Sequence, residues 1–390
     1  MRKFKKCLAL LLVIILCTGV IPTGSNKMIA SAAGDSAISY REQLTDVQKE
    51  IYDELVEGFV GNDGFHNGKL DVLTFKPKKS KEYNSQAALE NAFNNDAAYA
   101  VFAFIEDYPQ LFWAKGYSMN YSIQTGSKYK VVGVNITVSQ SFNVNSSMIS
   151  QFKNNVMSAA DQIRNSLPAN ATEFEKHMAI HDWICNEAYY SENGRVNPTA
   201  YPKTHTAYPL FGNGEDGGVV CEGYAKAYKI LCDYMGLDAI LVTGYARSNG
   251  SYEAHMWNKV RMSDGKWYVV DATWDDQDRE IYYNYFLCGE NSKGFNEFLF
   301  KQDHLEDNEV AQDIIFDSPK LSQYGYSGYL GQLTYTYDKG VLTIGGKGTF
   351  PEYLQDDRTP WYPYIDEIKT LIIGDKITRY SKSISTNYCN

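Results

Sequence analysis

Residues 217–236 read GGVVCEGYAKAYKILCDYMG, and the fold is predicted from the helix that these residues indicate. From Cys221 onward the apolar residues recur at helical spacing, so the sequence predicts a helix over residues 221–235. Gly236 suits the left-handed position that follows a helix. Cys221 would then begin the helix, where unpaired amides and the positive end of the helix dipole favour a thiolate over a thiol. Gly217 and Gly218 leave the backbone open to an approaching substrate.

Strands are predicted on the carboxyl side of this helix. Residues 239–245 and 255–262 have the composition and alternation of strands, with a polar loop over 246–253 between them. A short turn at 263–265 leads into a third strand over 266–271. The expected fold is therefore α+β, with the helix packed on an antiparallel sheet.

The register of the last two strands tests whether a histidine and an aspartate can meet. A two-residue turn would point Asp271 to the face away from His255. A three-residue loop with Gly265 left-handed in a bulge instead places Asp271 opposite Trp257 and diagonally beside His255. A joint role for the two residues therefore requires the bulged loop.

Cys221, His255 and Asp271 are the residue types of a nucleophile, its base and the group that orients the base. Singly, each has an ordinary structural interpretation, as a small buried residue, a core histidine and a strand-end cap. Their order along the chain and the register argument favour the catalytic interpretation.

Three blocks of the sequence resemble the transglutaminase-like superfamily. They are GVVCEGYA at 218–225, HMWN at 255–258 and WYVVDATW at 267–274, and the likeness extends over about residues 145–300. The resemblance implies a papain-like core with Cys221, His255 and Asp271 as the triad. An oxyanion would be held by the Cys221 amide and a second donor. Tyr208 and Gly218 are candidates for the oxyanion site or cleft, and Trp257 for a core or cleft wall.

Four regions are expected along the chain. Residues 1–32 resemble a signal peptide, since four cations precede an uncharged run that is too short for a membrane anchor. Residues 36–145 predict a small α+β domain with helices at 44–60 and 85–108 and a hairpin. Residues 146–305 would form the catalytic domain. Residues 325–390 predict a β-rich segment that resembles the start of bacterial surface leucine-rich repeats, a cap-like appendage with about one repeat.

Charge and cysteine content exclude several classes of function. The formal net charge of −10 argues against nucleic acid and anionic membranes as partners. Without the signal peptide, five cysteines remain, so at least one thiol is expected to be free.

His177 and His181 have helical i, i+4 spacing, but the motif of a zinc protease is lacking and a packed helix is favoured. Asp275 and Asp276 are read as solvated rather than calcium-binding. No metal or cofactor is expected.

The sequence favours an exported thiol enzyme, secreted or at the cell surface, that attacks amides of proteins or peptides, including cell-wall or surface proteins. Hydrolysis is favoured over cross-linking because the polar, glycine-rich segment 213–218 gives water free access. Two alternatives stay open. One is a catalytically idle surface binding or adhesion protein with the same fold. The other is polysaccharide binding, suggested by 31 tyrosines. No stable membrane insertion is expected after signal cleavage.

Overall fold

The computed structural model describes most of the chain between residues 39 and 306, except 62–63, 66–71, 213–217, 249, 278–279, 293 and 295–297. It also describes the backbone of Phe4–Cys7 and the ranges 318–323, 328–330, 333–338, 340–346, 348–349 and 368–379, with the single residues 316, 325 and 361. Apart from Phe4–Cys7, the predicted signal peptide lies outside these residues.

Helices and strands alternate along the described chain. Short 3₁₀ helices occur at Tyr40–Gln43 and Pro202–His205. The α-helices are α1 (Asp46–Phe59), α2 (Gln86–Asp107), α3 (Ser146–Ser166), α4 (Glu173–Glu187), α5 (Glu192–Val196), α6 (Tyr208–Phe211), α7 (Cys221–Met235), α8 (Ala272–Asp275) and α9 (Phe300–Asp303). Among these described helices, none combines the length and the apolarity needed to cross a membrane.

The strands form several sheets. They are β1 (Phe4–Cys7), β2 (Leu73–Phe75), β3 (Ala114–Gln124), β4 (Lys130–Gln140), β5 (Asp238–Ser248), β6 (Ser251–Arg261), β7 (Trp267–Val270), β8 (Asp276–Gln277), β9 (Glu280–Ile281), β10 (Phe286–Cys288), β11 (His304–Glu306), β12 (Gly328–Leu330), β13 (Leu333–Asp338), β14 (Val341–Gly346), β15 (Gly348–Thr349), β16 (Thr370–Ile373) and β17 (Ile377–Arg379). The central sheet has the order β10-β7-β6-β5-β11, and all its neighbouring strands are antiparallel.

The amino-terminal elements agree with the sequence. Helices α1 and α2 and the β3–β4 hairpin occupy the predicted places, and Thr45 begins α1 with a capping box. Leu55, Phe104 and Phe112 are fully buried, so this region has a real apolar core. Tyr40 donates a hydrogen bond from its hydroxyl to the carbonyl of Leu241 in the central sheet. The domain boundaries given above remain predictions.

Helix α7 packs against the central sheet and has the predicted bounds. Gly236 follows it in the left-handed conformation, with φ of 73°. Asn258 on β6 donates from Nδ2 to the carbonyl of Ala225 at 3.0 Å, which fastens the helix to the sheet. Because Asn258 is buried, this bond is protected from competition with water.

The predicted register between β6 and β7 is confirmed. Gly265 has a φ of 77°, and the three residues 263–265 form the turn between Met262 and Lys266. Asn258 lies opposite Val270, and continuing this pairing by one residue places Asp271 opposite Trp257. The bulged loop therefore puts His255 and Asp271 on the same face of the sheet.

Two loop predictions are wrong. The polar loop over 246–253 is part of a long hairpin, in which β5 and β6 pair from Asp238 and Arg261 as far as Ser248 and Ser251. The tip of this hairpin extends beyond the core, so side chains on both faces are exposed to solvent. The residues there are therefore polar although they belong to paired strands.

The predicted long loop over 194–218 contains α5, the 3₁₀ helix Pro202–His205 and α6. These helices are too short to show periodicity. A cap at Ser191 and a proline in the first turn of each later helix stabilise them locally.

The carboxyl-terminal hairpin, β13 and β14, is also confirmed. β14 pairs in parallel with β16, Val341 opposite Thr370, and β15 pairs in parallel with β17, Gly348 opposite Ile377. The β14–β16 partners and the first β15–β17 partners lie at the same separation in the sequence, as in successive coils of a repeat, and a register shift lengthens that separation by one residue at Thr349 and Arg379. The resemblance to leucine-rich repeats itself stays a prediction.

The bulged turn allows a test of the register. Gly265→Ala should lower the free energy of unfolding by about 1 kcal/mol, because a side chain at positive φ is strained even where space is open. Gly126→Ala, in the β3–β4 turn, is the control, since Gly126 has open space and no positive φ. Urea denaturation measures both variants. Equal stability losses would contradict the assigned turn.

Candidate catalytic site

Cys221 is the first residue of α7, and hydrogen bonds hold the segment before it in place. The amide of Val219 donates to the carbonyl of Tyr189 at 3.0 Å, and the amide of Val220 donates to that of Thr204 at 2.9 Å. Val220 is extended and caps the helix without a side-chain bond. Cys221 is partly exposed, whereas the other described cysteines are buried. It therefore combines a helix amino terminus with access from solvent.

The cysteines whose side chains the structure describes are Cys185, Cys221, Cys232 and Cys288, and all four are free. The expectation of at least one free thiol is confirmed. Burial raises the pKa of the Cys185, Cys232 and Cys288 thiols. These three cysteines are therefore poor nucleophiles.

His255 lies between Cys221 and Asp271. Its Nε2 is 2.7 Å from Oδ2 of Asp271, and its side chain also interacts electrostatically with Cys221. Because Nε2 faces the carboxylate, Nδ1 is the ring nitrogen left for the thiol. The three side chains thus form a connected series from the helix to the sheet, with the imidazole in the middle.

The electrostatics of this series favour a charged imidazole. Burial alone would lower the pKa of His255, but the Asp271 carboxylate and Cys221 outweigh it and raise that pKa to about 10. Burial would likewise raise the pKa of Asp271, yet His255 keeps it below its usual range. Asp271 is thus a carboxylate and His255 an imidazolium near neutral pH.

Asp271 is held at both of its oxygens. It caps the short helix α8, so Oδ1 accepts bonds from the amides of Thr273 and Trp274, at 3.1 and 3.3 Å. Oδ2 accepts from His255 and also lies 3.2 Å from Nε2 of His304. The carboxylate is buried and fully engaged, which fixes its orientation toward His255.

His304 is a site residue that the sequence reasoning missed. It lies 33 residues beyond Asp271 in the chain and comes from β11 at one edge of the central sheet. No local spacing rule connects it to the triad. A lone histidine after a short helix gave no signal by itself.

Among the described residues, His255, Asp271 and His304 form the group that could hold a metal ion, with their ligand atoms within 4.8 Å of one another. Those atoms already bond to one another. A metal would have to displace the hydrogen bonds that orient His255.

The other sequence candidates have different surroundings. The ring of Tyr208 packs against Phe112 and Phe152 in the core. Gly218 has a φ of 92°, and a Cβ there would lie 2.4 Å from the carbonyl oxygen of Tyr189, so only glycine fits. Trp257 is fully buried beside His255. Their roles in an oxyanion site or cleft remain predictions.

Tyr190 is a second residue that sequence reasoning missed. It pairs with Val219, two residues before Cys221, and it is partly exposed. Burial and the nearby negative charge of Cys221 raise the pKa of its hydroxyl. Tyr190 therefore remains protonated and lies close to the thiol.

A buried ion network anchors the start of α7. Glu222, next to Cys221, binds the ammonium of Lys226 and lies 2.8 Å from Nδ1 of His205. Lys226 also donates to the carbonyl of His205 at 3.1 Å. These bonds tie the helix to the segment that precedes the nucleophile, which limits the movement of Cys221.

His177 and His181, the candidate pair of metal ligands, have separate partners. His177 lies 2.8 Å from the hydroxyl of Tyr228, and burial lowers its pKa to about 3. His181 Nε2 lies 3.3 Å from Oδ2 of Asp275. Asp275 is fully buried, so reading it as a solvated carboxylate was wrong. It accepts from the amide of Tyr285 and helps to fix the turn that carries Asp271.

Comparison with known proteins agrees with this geometry. A model of the transglutaminase-like superfamily core matches residues 159–272, a range that includes Cys221, His255 and Asp271. The chain is 27% identical over 199 residues to kyphoscoliosis peptidase of Mus musculus and 26% identical over 214 residues to that of Homo sapiens. These alignments cover 46% and 49% of this chain but only 29% and 31% of the relatives, so the chain spans less than a third of their length.

A crystal structure of a TGase aligns with 61% of this chain and 60% of its own, at 14% identity and a TM-score of 0.29. The assignment does not rest on that alignment. The family match and the arrangement of helix and antiparallel sheet carry it. Residues 159–272 form a transglutaminase-like superfamily domain, and the α+β core of this chain is of the transglutaminase-like type.

Proposed function

We propose that the chain is a thiol enzyme that cleaves amide bonds of proteins or peptides through a thioester on Cys221. One observation carries the proposal: Nε2 of His255 lies 2.7 Å from Oδ2 of the buried Asp271. Strongly shifted pKa values in such a buried pair are typical of functional sites, and the pKa of His255 is raised by Asp271 and also by its interaction with Cys221. Cys221 is the partly exposed thiol among the described cysteine side chains.

In the first half of the reaction, the Cys221 thiolate attacks the carbonyl carbon of the amide and forms a C–S bond. The carbonyl oxygen takes the negative charge, and the Cys221 amide at the start of α7 would donate a hydrogen bond to it. The His255 imidazolium then gives its proton to the leaving nitrogen, the C–N bond breaks, and the amine departs. A thioester remains on Cys221.

In the second half, neutral His255 removes a proton from water, and the resulting hydroxide attacks the thioester carbonyl. The C–S bond breaks, a carboxylic acid leaves, and the proton returns the site to its thiolate–imidazolium state. An amine in place of water would give a new amide instead. Asp271 holds the His255 ring in position through both halves.

Hydrolysis is the proposed outcome rather than transfer to an amine. Support comes from the polar segment 213–218 before the nucleophile, most of which lies outside the described residues. An acceptor amine must reach the thioester uncharged, and acidic residues such as Glu215 and Asp216 would keep it protonated. Water meets no such obstacle.

Action outside the cell, on peptide or protein substrates such as surface proteins, is part of the proposal. It is supported by the cationic start and uncharged run within residues 1–32. The carboxyl-terminal β segment, with its resemblance to leucine-rich repeats, is proposed as an interaction module. Its two parallel strand pairs, which start at the same sequence separation, favour this role.

The nucleophile can be tested without a known substrate. At pH 7, iodoacetamide should label Cys221 at least tenfold faster than Cys185, Cys232 or Cys288, because those three thiols are buried and protonated. Peptide mapping by mass spectrometry measures the rates, and Cys221→Ala provides the blank. Preferential labelling of a buried cysteine would remove Cys221 as the nucleophile.

The pH dependence tests the role of the carboxylate. Because the imidazolium must protonate the leaving nitrogen, kcat/KM should fall as pH rises through about 10, the raised pKa of His255. The same shift stabilises the fold fully below the ordinary histidine pKa of about 6.5, and that stability is lost as pH rises through about 10.

Asp271→Asn should move the alkaline fall to lower pH and reduce kcat by roughly 10³- to 10⁴-fold, since the charge that raises the pKa of His255 is gone. Asp238→Asn is the matched control, because Asp238 forms an ion pair with Arg261 at the open end of the β5–β6 hairpin and not with His255. Hydrolysis of labelled casein at several pH values measures both. An unchanged alkaline limb in Asp271→Asn would refute the assignment.

The fate of the thioester is measured as a partition ratio. Glutamine-containing peptides are incubated with the enzyme and a labelled primary amine at millimolar concentration, and hydrolysed product is compared with labelled adduct. Hydrolysed product should exceed adduct because water reaches the polar approach freely. An excess of adduct would make the protein a cross-linking enzyme.

A further inference from the structure

We propose that His304 is a positioning residue of the triad, a neutral imidazole that donates a hydrogen bond to Oδ2 of Asp271 and fixes that carboxylate for His255. The proposal rests on the proposed function of Cys221, His255 and Asp271. It adds a residue that lies outside the matched family range of 159–272.

The contact crosses one face of the central sheet. His304 begins β11 at one edge, and Asp271 follows β7, three strands away in the order β7-β6-β5-β11. Three strand spacings in a flat sheet amount to roughly 14 Å. The two side chains are nevertheless 3.2 Å apart. His304 is paired with Ala246 and Ala246 with Glu253, so His304 lies on the face of the sheet that carries His255 and reaches Asp271 across that face.

The partners of His304 determine its tautomer. An ionised carboxylate only accepts hydrogen bonds, so the proton shared with Asp271 must be on Nε2 of His304. Nδ1 has no hydrogen-bond partner among the described residues, and the nearest carboxylate oxygen, of Asp303, is 3.7 Å away. That oxygen accepts from the hydroxyl of Tyr285 instead. The bonds identify His304 as the neutral Nε2–H form.

A neutral His304 ring is favoured at this position. The rings of His255 and His304 are 5.6 Å apart, and two imidazolium ions at that distance would repel each other in a buried site. Burial and the positive charge of His255 lower the pKa of His304. Only His255 carries the charge, while His304 contributes a donor.

The consequence is that four donors define the Asp271 carboxylate. Two backbone amides hold Oδ1 and two imidazoles hold Oδ2. Without His304, His255 would be the one hydrogen-bond donor to Oδ2 of Asp271. Oδ2 could then move together with the His255 ring, and Asp271 would no longer fix the position of that ring.

A packing role is the alternative explanation for His304. Its ring is stacked on Phe300 with centroids 4.3 Å apart, and it contacts Trp274 at 4.8 Å. His304→Phe keeps an aromatic ring and removes the donor. His304→Gln loses the ring, but its amide can still donate to Oδ2. The two variants therefore separate the two roles.

The test compares both full-length variants with the native protein for casein hydrolysis, Cys221 alkylation at pH 7 and thermal unfolding. His304→Phe should lose about 100-fold in kcat, as expected for a misplaced catalytic group, with KM little changed. His304→Gln should stay within about tenfold of native. If folded His304→Phe is as active as His304→Gln or more so, the positioning role is refuted.

A second measurement uses the native protein and is independent of activity. The ¹⁵N NMR shifts of His304 should report a neutral ring with the proton on Nε2 between pH 6 and 8. An imidazolium or an Nδ1–H tautomer would overturn the inference, even if neither variant folds. Slow alkylation of Cys221 in the native protein would instead refute the proposed function, so the two failures are distinguishable.

Discussion

The hydrogen bond between Nε2 of His255 and Oδ2 of Asp271 is the contact on which the site depends, and the register of one hairpin makes it possible. A shift of a single residue between β6 and β7 would turn Asp271 to the opposite face of the sheet. Gly265 prevents that shift because its positive φ allows a three-residue loop with a bulge. A turn that carries none of the three side chains thus determines whether Asp271 meets His255.

Buried charges surround this contact and hold its parts in place. Glu222, Lys226 and His205 fasten the start of α7, while Asp275 and His181 fasten the turn that carries Asp271. Each charge has a partner within the protein, which offsets much of the cost of removing it from water. The nucleophile and the carboxylate are therefore held by separate networks, on a helix and on a turn, and His255 bridges them.

The sequence predicted those parts of the candidate site that depend on the spacing of residues along one helix or hairpin. Helix α7 has its predicted bounds. The pairing register of β6 with β7 follows from the length of the turn that contains Gly265. Residue spacing could not predict contacts between residues that are distant in the sequence. His304 reaches Asp271 from a strand at the edge of the sheet, and no local pattern in the chain predicts that contact.

Burial of polar residues was the other limit. Asp275 lies in a polar stretch that is typical of an exposed loop, yet it is fully buried. Its carboxylate can be buried because His181 and the Tyr285 amide form hydrogen bonds with it. The tip of the β5–β6 hairpin has a loop-like composition but keeps its strand pairing as far as Ser248 and Ser251. At Asp275 tertiary contacts outweigh local composition, whereas at the hairpin tip the backbone pairing of β5 with β6 does.

The central claim is that Cys221 forms a covalent acyl intermediate, and acid-quenched intact mass spectrometry tests it most directly. An activated ester of a peptide acyl group would be mixed with the native protein and with Cys221→Ala, and the reaction stopped within one turnover. We expect one acyl adduct on the native chain, located on Cys221 by peptide mapping, and none on the variant. Turnover by Cys221→Ala at the native rate, or an adduct on another residue, would contradict it.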